Sequence, residues 1–278
     1  MKTLRYSALV AAMALLLVTP VMTLGCGGGE ETPVVLAATS DLEGSGILQA
    51  WAEDFQSETG NRVELVVVPD EQALAMARHG ECDLVLTHIP EEEGRLERSG
   101  FLEGGQEIMR GDYVLVGPPD DPAGVRETEN ILDALKRIAE SGQIFILRID
   151  GSGTGYRQYM LWSTSEVGET GEWLLPTDAG ADDSLLQASQ EKAYTLCDRS
   201  SWERSAGGLD LEILFEGGES LVDPYAAAMV STLTYPDTNS AGAREFTDYL
   251  LSPQARGFFG LGAWEPPVEQ EEQPSEVR

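Results

Sequence analysis

The chain has 278 residues, 48 of them acidic and 18 basic, for a formal net charge of −30 at neutral pH. So large an acidic excess excludes nucleic acid as a natural partner, because phosphate binding needs a basic surface. Three cysteines and two histidines, His79 and His88, exclude a disulfide framework and offer little for a zinc site, so neither a cofactor nor a protein-held metal is expected.

The chain opens with Lys2 and Arg5, follows with an apolar run over 8–22 and reaches Cys26 through small residues, which is the build of an export signal. Thr23-Leu24-Gly25-Cys26 resembles a bacterial lipoprotein box, so cleavage is expected before Cys26 and lipidation on it. The protein is then anchored to the outer face of the cell membrane. Gly27, Gly28 and Gly29, followed by Glu30-Glu31, make 26–32 a flexible tether. Loss of Lys2 and Arg5 leaves 16 basic residues against 48 acidic, a net charge of −32. Salt limits the reach of that charge to about 8 Å, so local donors can still hold an anion.

Apolar runs then alternate with amphipathic segments, as in a parallel sheet covered by helices. The pattern predicts a strand over 34–38, a helix over 47–58, a strand over 62–68, a helix over 71–78 and a strand over 84–86. Another strand over 112–117 ends at Pro118-Pro119-Asp120-Asp121-Pro122, which stops both helix and ladder. A second α/β set follows, with helices over 131–140, 155–162 and 184–190 and strands over 144–147, 193–196 and 211–214. A strand over 225–230 and helices over 242–251 and 253–258 are too few for a lobe and rejoin the first. The expected fold is therefore α/β and two-lobed, with doubly wound sheets joined by two hinge crossings, near 113–118 and 221–226. Lobe 1 takes 33–114 and 225–264, and lobe 2 takes 115–224. The tail over 265–278 is rich in Glu, Gln and Pro and is expected to be disordered. Cys82 and Cys197 sit in apolar stretches and read as small core residues.

The chemistry concentrates in Arg148-Ile149-Asp150-Gly151-Ser152-Gly153-Thr154-Gly155, where a strand runs through small residues into a helix. Such a turn points N–H groups outward. Gly153 keeps side chains clear, the helix start adds roughly half a positive charge, Ser152 and Thr154 add hydroxyls, and Arg148 brings a planar donor fork. Simple helix capping by Asp150 and Ser152 is the alternative. The first half offers a similar arrangement, with Thr39 and Ser40 at a strand end and Ser45-Gly46 before a helix, and a third strand ends at Thr87 and His88. Asp150 facing inward would favour phosphate, but bonded to Arg148 or to N–H groups it is structural, which is the preferred reading.

Taken together, Ala37-Ala38-Thr39-Ser40, Ser45-Gly46, Leu86-Thr87-His88-Ile89-Pro90, Asp112-Tyr113-Val114-Leu115-Val116-Gly117-Pro118, the 148–154 turn, Tyr194-Thr195-Leu196-Cys197-Asp198-Arg199 and Pro224-Tyr225 resemble the tungstate-binding components of ABC importers. Phosphate- and molybdate-type binding proteins stand behind them as the wider group. The resemblance runs from Ala37 to about Phe259 and implies a type II periplasmic-binding-protein fold that holds an oxyanion between two lobes. By resemblance the ligand meets Thr39, Ser40, Arg148, Ser152 and Thr154, with Arg199 in the same wall. Ala37, Ala38, Leu147, Ile149 and Cys197 depart from the family pattern, and the lost hydroxyls remove donors.

The sequence reading is thus a monomeric lipoprotein that binds tungstate or molybdate and delivers it to an ABC permease. A phosphate- or sulfate-binding component is the alternative, with an enzyme or a sensor on the same scaffold further behind. No nucleophile–histidine pair or pair of catalytic carboxylates supports an enzyme.

Overall fold

The computed structural model describes residues 32–168 and 170–268. The expected signal segment, Cys26, nearly all of the tether and the end of the tail lie outside them. No helix among the described residues is long and apolar enough to cross a membrane.

The first sheet begins with β1 (Val34–Thr39), β2 (Val63–Val68) and β3 (Leu84–Thr87). β1 lies between the other two and runs parallel to both. Parallel neighbours need crossover helices, which α1 (Ile47–Thr59) and α2 (Asp70–His79) supply. Because helices cover both faces, alternate residues of one strand enter different cores. Leu36 and Ala38 pack with Trp51 and Phe55 of α1, whereas Ala37 and Val85 pack with Ala73 and Leu74 of α2.

Two strands complete this sheet and connect it to a second. β4 (Leu102–Gly117) pairs antiparallel with β9 (Val222–Val230) as far as Asp112, opposite Val222. From Tyr113, opposite Asp198, it pairs instead with β7 (Thr195–Asp198), and β8 (Glu212–Glu216) lies along its other side. β5 (Phe145–Arg148) runs parallel to β6 (Leu174–Thr177) and joins the start of β7 through the Ile146 N–H to the Tyr194 carbonyl. Helices α4 (Ile131–Ser141) and α5 (Gly153–Thr164) cover one face of this second sheet, while α6 (Ala181–Glu191) and α7 (Arg199–Ser205) cover the other. β9 returns to the first sheet, where α8 (Ser240–Leu250) and α9 (Pro253–Arg256) close its core. The Trp51 indole donates to the Ala255 carbonyl at 2.9 Å, and Phe55 meets Phe246 edge to face.

Three departures from the sequence reading have physical causes. Helix α3 (Pro90–Arg98) escapes a search for apolar periodicity because only Leu96 is buried, although Pro90 and three glutamates mark its first turn. The outer half of β4 carries Gly104, Gly105 and several charges, so its strand character comes from pairing with β9. The expected disordered tail begins too early, since Glu265 exchanges two backbone hydrogen bonds with Arg110. Cys82 and Cys197 are both free and buried, as core residues should be.

Candidate functional site

Strand ends build the site, as is usual where ligands lie beyond the carboxyl edge of a parallel sheet. β1 ends at Thr39, and a single 3₁₀ turn over Ser40–Leu42 turns the Asp41 side chain inward. β2 ends before Pro69, which starts α2 so that Asp70 is its first residue. β3 delivers Thr87 and His88, β9 delivers Asp223 and Tyr225, and β5 ends at Arg148 before the turn into α5. Asp41, Asp70, His88, Arg148, Thr154 and Asp223 are all buried.

The two sheets meet through hydrogen bonds at this point. Arg148 Nη2 donates to Asp41 Oδ1 at 2.8 Å and to Asp150 Oδ2 at 2.6 Å. Thr154 donates its hydroxyl to Asp41 Oδ2 at 2.7 Å and its N–H to the same oxygen at 3.3 Å. Gly153 N–H donates to Asp70 Oδ2 at 2.8 Å, an oxygen that also accepts from Thr39 Oγ1 at 2.6 Å. Arg148 is positioned in turn by Gln158, which accepts from the Arg148 N–H and donates to Thr195 Oγ1 and the Leu196 carbonyl. Glycine is required at 153 because an added Cβ would lie 2.3 Å from the His88 ring.

His88 stands at the centre. Nδ1 lies 2.8 Å from Asp223 Oδ1 and 3.2 Å from the Tyr113 hydroxyl, and the ring stacks on Tyr225 at 4.5 Å. Nε2 lies 3.3 Å from Asp41 Oδ2 and 3.4 Å from Asp70 Oδ2. Burial disfavours the imidazolium, yet the surrounding Asp223, Tyr113 and Asp70 raise its pKa well above the usual value. Burial likewise opposes the Asp41 carboxylate, but Arg148, His88 and Thr154 outweigh it and hold the group well below the usual carboxylate range. Asp198 moves the other way, raised by burial and by the nearby Asp41.

Of the residues singled out in the sequence, Thr39, His88, Arg148, Gly153 and Thr154 come together here. Ser40 borders the cleft beside Asp41 and Arg148. Ser152 serves as the N-cap of α5: its hydroxyl accepts from Gly155 N–H and donates to Asp150. Asp150 is tied to Arg148, as expected of a structural role. Ser45 is spent on its own turn, donating to the Leu42 carbonyl and accepting from Ile47 N–H. Thr87 donates to Glu93 rather than into the cleft. Arg199 does not belong to this wall; it pairs with Asp112 and Glu216 at a half-exposed position. The sequence reading sought donors and therefore passed over Asp41, Asp70 and Asp223. Each stands where a strand meets a turn, a place common to ordinary surface acids, so nothing local marks it as part of the site.

Two lobes that share the long strand β4, with β9 returning the chain to the first, meet around buried charged groups and define a two-lobed solute-binding protein of the type II periplasmic arrangement. The chain belongs to the PBP superfamily, whose domain matches residues 27–254, in the branch that holds the TupA proteins. It is 31% identical over 229 residues to the tungstate-binding protein TupA of Peptoclostridium acidaminophilum, covering 82% of this chain and 80% of that one. Its fold matches the tungstate ABC transporter structure from Geobacter sulfurreducens with a TM-score of 0.73 and 28% identity, over 83% of this chain and 98% of the other. The tungstate-binding protein TupA of Desulfovibrio alaskensis G20 gives the same TM-score and identity, over 86% of this chain and 100% of the other.

Proposed function

We propose that the chain is an extracytoplasmic component of an ABC importer that binds a tetrahedral oxyanion, tungstate or molybdate, between its lobes and delivers it to a membrane permease. One observation carries the ligand class. The Arg148 guanidinium, the Gly153 and Thr154 N–H groups and the Thr154 hydroxyl, all from the second lobe, converge on carboxylate oxygens presented by the first. A set directed in this way recognises anionic oxygen, and the charged fork of Arg148 strengthens it. Asp41 Oδ2 and Asp70 Oδ2 mark where ligand oxygens would lie, so an entering oxyanion must turn these two carboxylates aside. The tungstate-binding relatives favour the fully deprotonated ion. Phosphate is the second reading, favoured by the same carboxylates, either of which could accept the proton that phosphate carries at neutral pH.

Lipidation of Cys26 would keep the protein at the membrane surface near its permease. Mass measurement of the membrane-extracted chain tests it, a diacylated N-terminal Cys26 being the expected product. The ligand is tested by calorimetry on chelator-treated protein with tungstate, molybdate, phosphate and sulfate. Tungstate or molybdate should bind at one per chain, and Arg148→Ala should weaken binding by more than ~2 kcal/mol. An affinity untouched by that change, or no heat from any of the four ions, rules the reading out.

A further inference from the structure

We propose that Asp41, Asp70 and His88 form a binding site for one divalent transition-metal ion of the zinc class, a ligand different in kind from the oxyanion. Each residue offers one ligand atom, and the three atoms lie within 4.8 Å of one another. The pointer is His88. Its Nε2 is buried, faces both carboxylates at 3.3 and 3.4 Å, and forms a hydrogen bond with neither. A tetrahedral ion with bonds of roughly 2.0–2.1 Å separates its ligands by about 3.3–3.4 Å, so two of the three edges already have the required length.

The groups behind these ligands suit the same purpose. The Nδ1 contact of His88 with Asp223 is the carboxylate–imidazole arrangement that fixes the orientation of a metal-binding histidine and leaves the other nitrogen to the ion. The Tyr225 ring holds the imidazole plane from one side. Asp70 is oriented by Thr39, Gly153 and the His88 N–H, and Asp41 by Thr154 and Arg148. A cation enters with both carboxylates left in place, sharing oxygens that already accept hydrogen bonds, whereas an oxyanion needs both carboxylates to move.

Charge points the same way. Asp41, Asp70, Asp150 and Asp223 set four formal negative charges against Arg148 and a protonated His88, a net −2. A dication that takes the place of the His88 proton leaves −1, whereas a dianion raises the excess to −4. The cleft that reaches Asp41 and Arg148 is about 330 Å³ and carries Glu43, Asp182 and Asp183 along its wall against Arg204, which pairs with Asp182, so carboxylates still outnumber cations there. An imidazole beside two carboxylates selects a zinc-class ion over calcium or magnesium, which take oxygen ligands.

The test uses the full chain after chelator treatment, titrated with Zn²⁺ by calorimetry and with Co²⁺ by visible absorption. One ion per chain is expected, with the intense d–d bands of tetrahedral Co²⁺ and no comparable response to Mg²⁺ or Ca²⁺. His88→Gln should abolish the Co²⁺ bands, and Asp223→Asn, which spares all three ligands, should weaken Zn²⁺ binding 10- to 100-fold. Thermal melts of each variant separate lost binding from lost folding. Absent binding, or binding that both variants leave unchanged, overturns the proposal. Tungstate titrated into the same protein with chelator present keeps the two readings apart: tungstate heat without Co²⁺ bands sinks the metal site alone, and Co²⁺ bands without tungstate heat sink the oxyanion alone.

Discussion

Arg148 and Asp41 meet at 2.8 Å across the junction of the two lobes, with each side chain only 1% exposed. A buried pair of this kind contributes little over an apolar substitute, but losing one member strands the other charge. Arg148→Met should therefore cost roughly 3–5 kcal/mol of unfolding free energy at neutral pH. Urea denaturation measures it, and a loss below about 1 kcal/mol would show that the carboxylate of Asp41 finds water or another donor.

The same pair sets a limit in acid. Asp41 is held well below its ordinary pKa in the folded chain and titrates near 3.8 when unfolded. Its contribution is therefore complete above about pH 4 and is lost as pH falls further, at up to about 1.4 kcal/mol per pH unit. Asp41→Asn should lower stability at neutral pH and flatten the decline between pH 4 and pH 2. Parallel slopes for the two proteins in acid urea titrations would contradict the assignment.

Glu93 gives the opposite sign in a different window. Its carboxyl accepts from Thr87 Oγ1 and Ile89 N–H, and burial pushes its pKa up to about 7 from 4.5. Between those values the folded chain holds a proton that the unfolded chain has released, so stability should fall as pH rises from 4.5 to 7. The expected change is on the order of 3 kcal/mol. Glu93→Gln keeps the acceptor and should remove the slope. A pH-independent wild type across this range would refute it.

The strand–helix alternation from β1 to β3 was legible because a parallel sheet covered on both faces needs apolar runs separated by amphipathic helices, and Leu36, Trp51 and Ala73 satisfy that pattern locally. β6 and the outer half of β4 were not legible, since their pairing comes from strands distant in sequence. In the site, Arg148, Gly153 and Thr154 could be read because a strand end, glycines and hydroxyls sit within seven residues. Asp41, Asp70 and Asp223 could not. Each looks like an ordinary turn acid in its own neighbourhood, and only the packing of three strand ends brings them to one imidazole.

Arg199 tests the boundary of the site from outside. It pairs with Asp112 and Glu216 at a position still open to water, where ion pairs contribute about 0–1 kcal/mol. Arg199→Ala should change stability by no more than that and leave calorimetric ligand affinity as in wild type. A tenfold weaker ligand would return this residue to the binding wall.

Gly153 and His88 offer the most direct check on the packing between the lobes. A Cβ at 153 would lie 2.3 Å from both Nε2 and Cδ2 of His88, and the imidazole cannot retreat because Tyr225 stacks against it and Asp223 holds Nδ1. Gly153→Ala should therefore cost roughly 1–3 kcal/mol, the usual penalty for an overfilled core. His88→Ala empties the space that the new methyl needs, so the double variant should be more stable than the sum of the single losses implies. A coupling of about 1 kcal/mol or more from denaturation of all four proteins is the expected outcome. Additive losses would mean that the α5 turn and the His88 ring do not touch in solution, and that the two lobes meet in some other way.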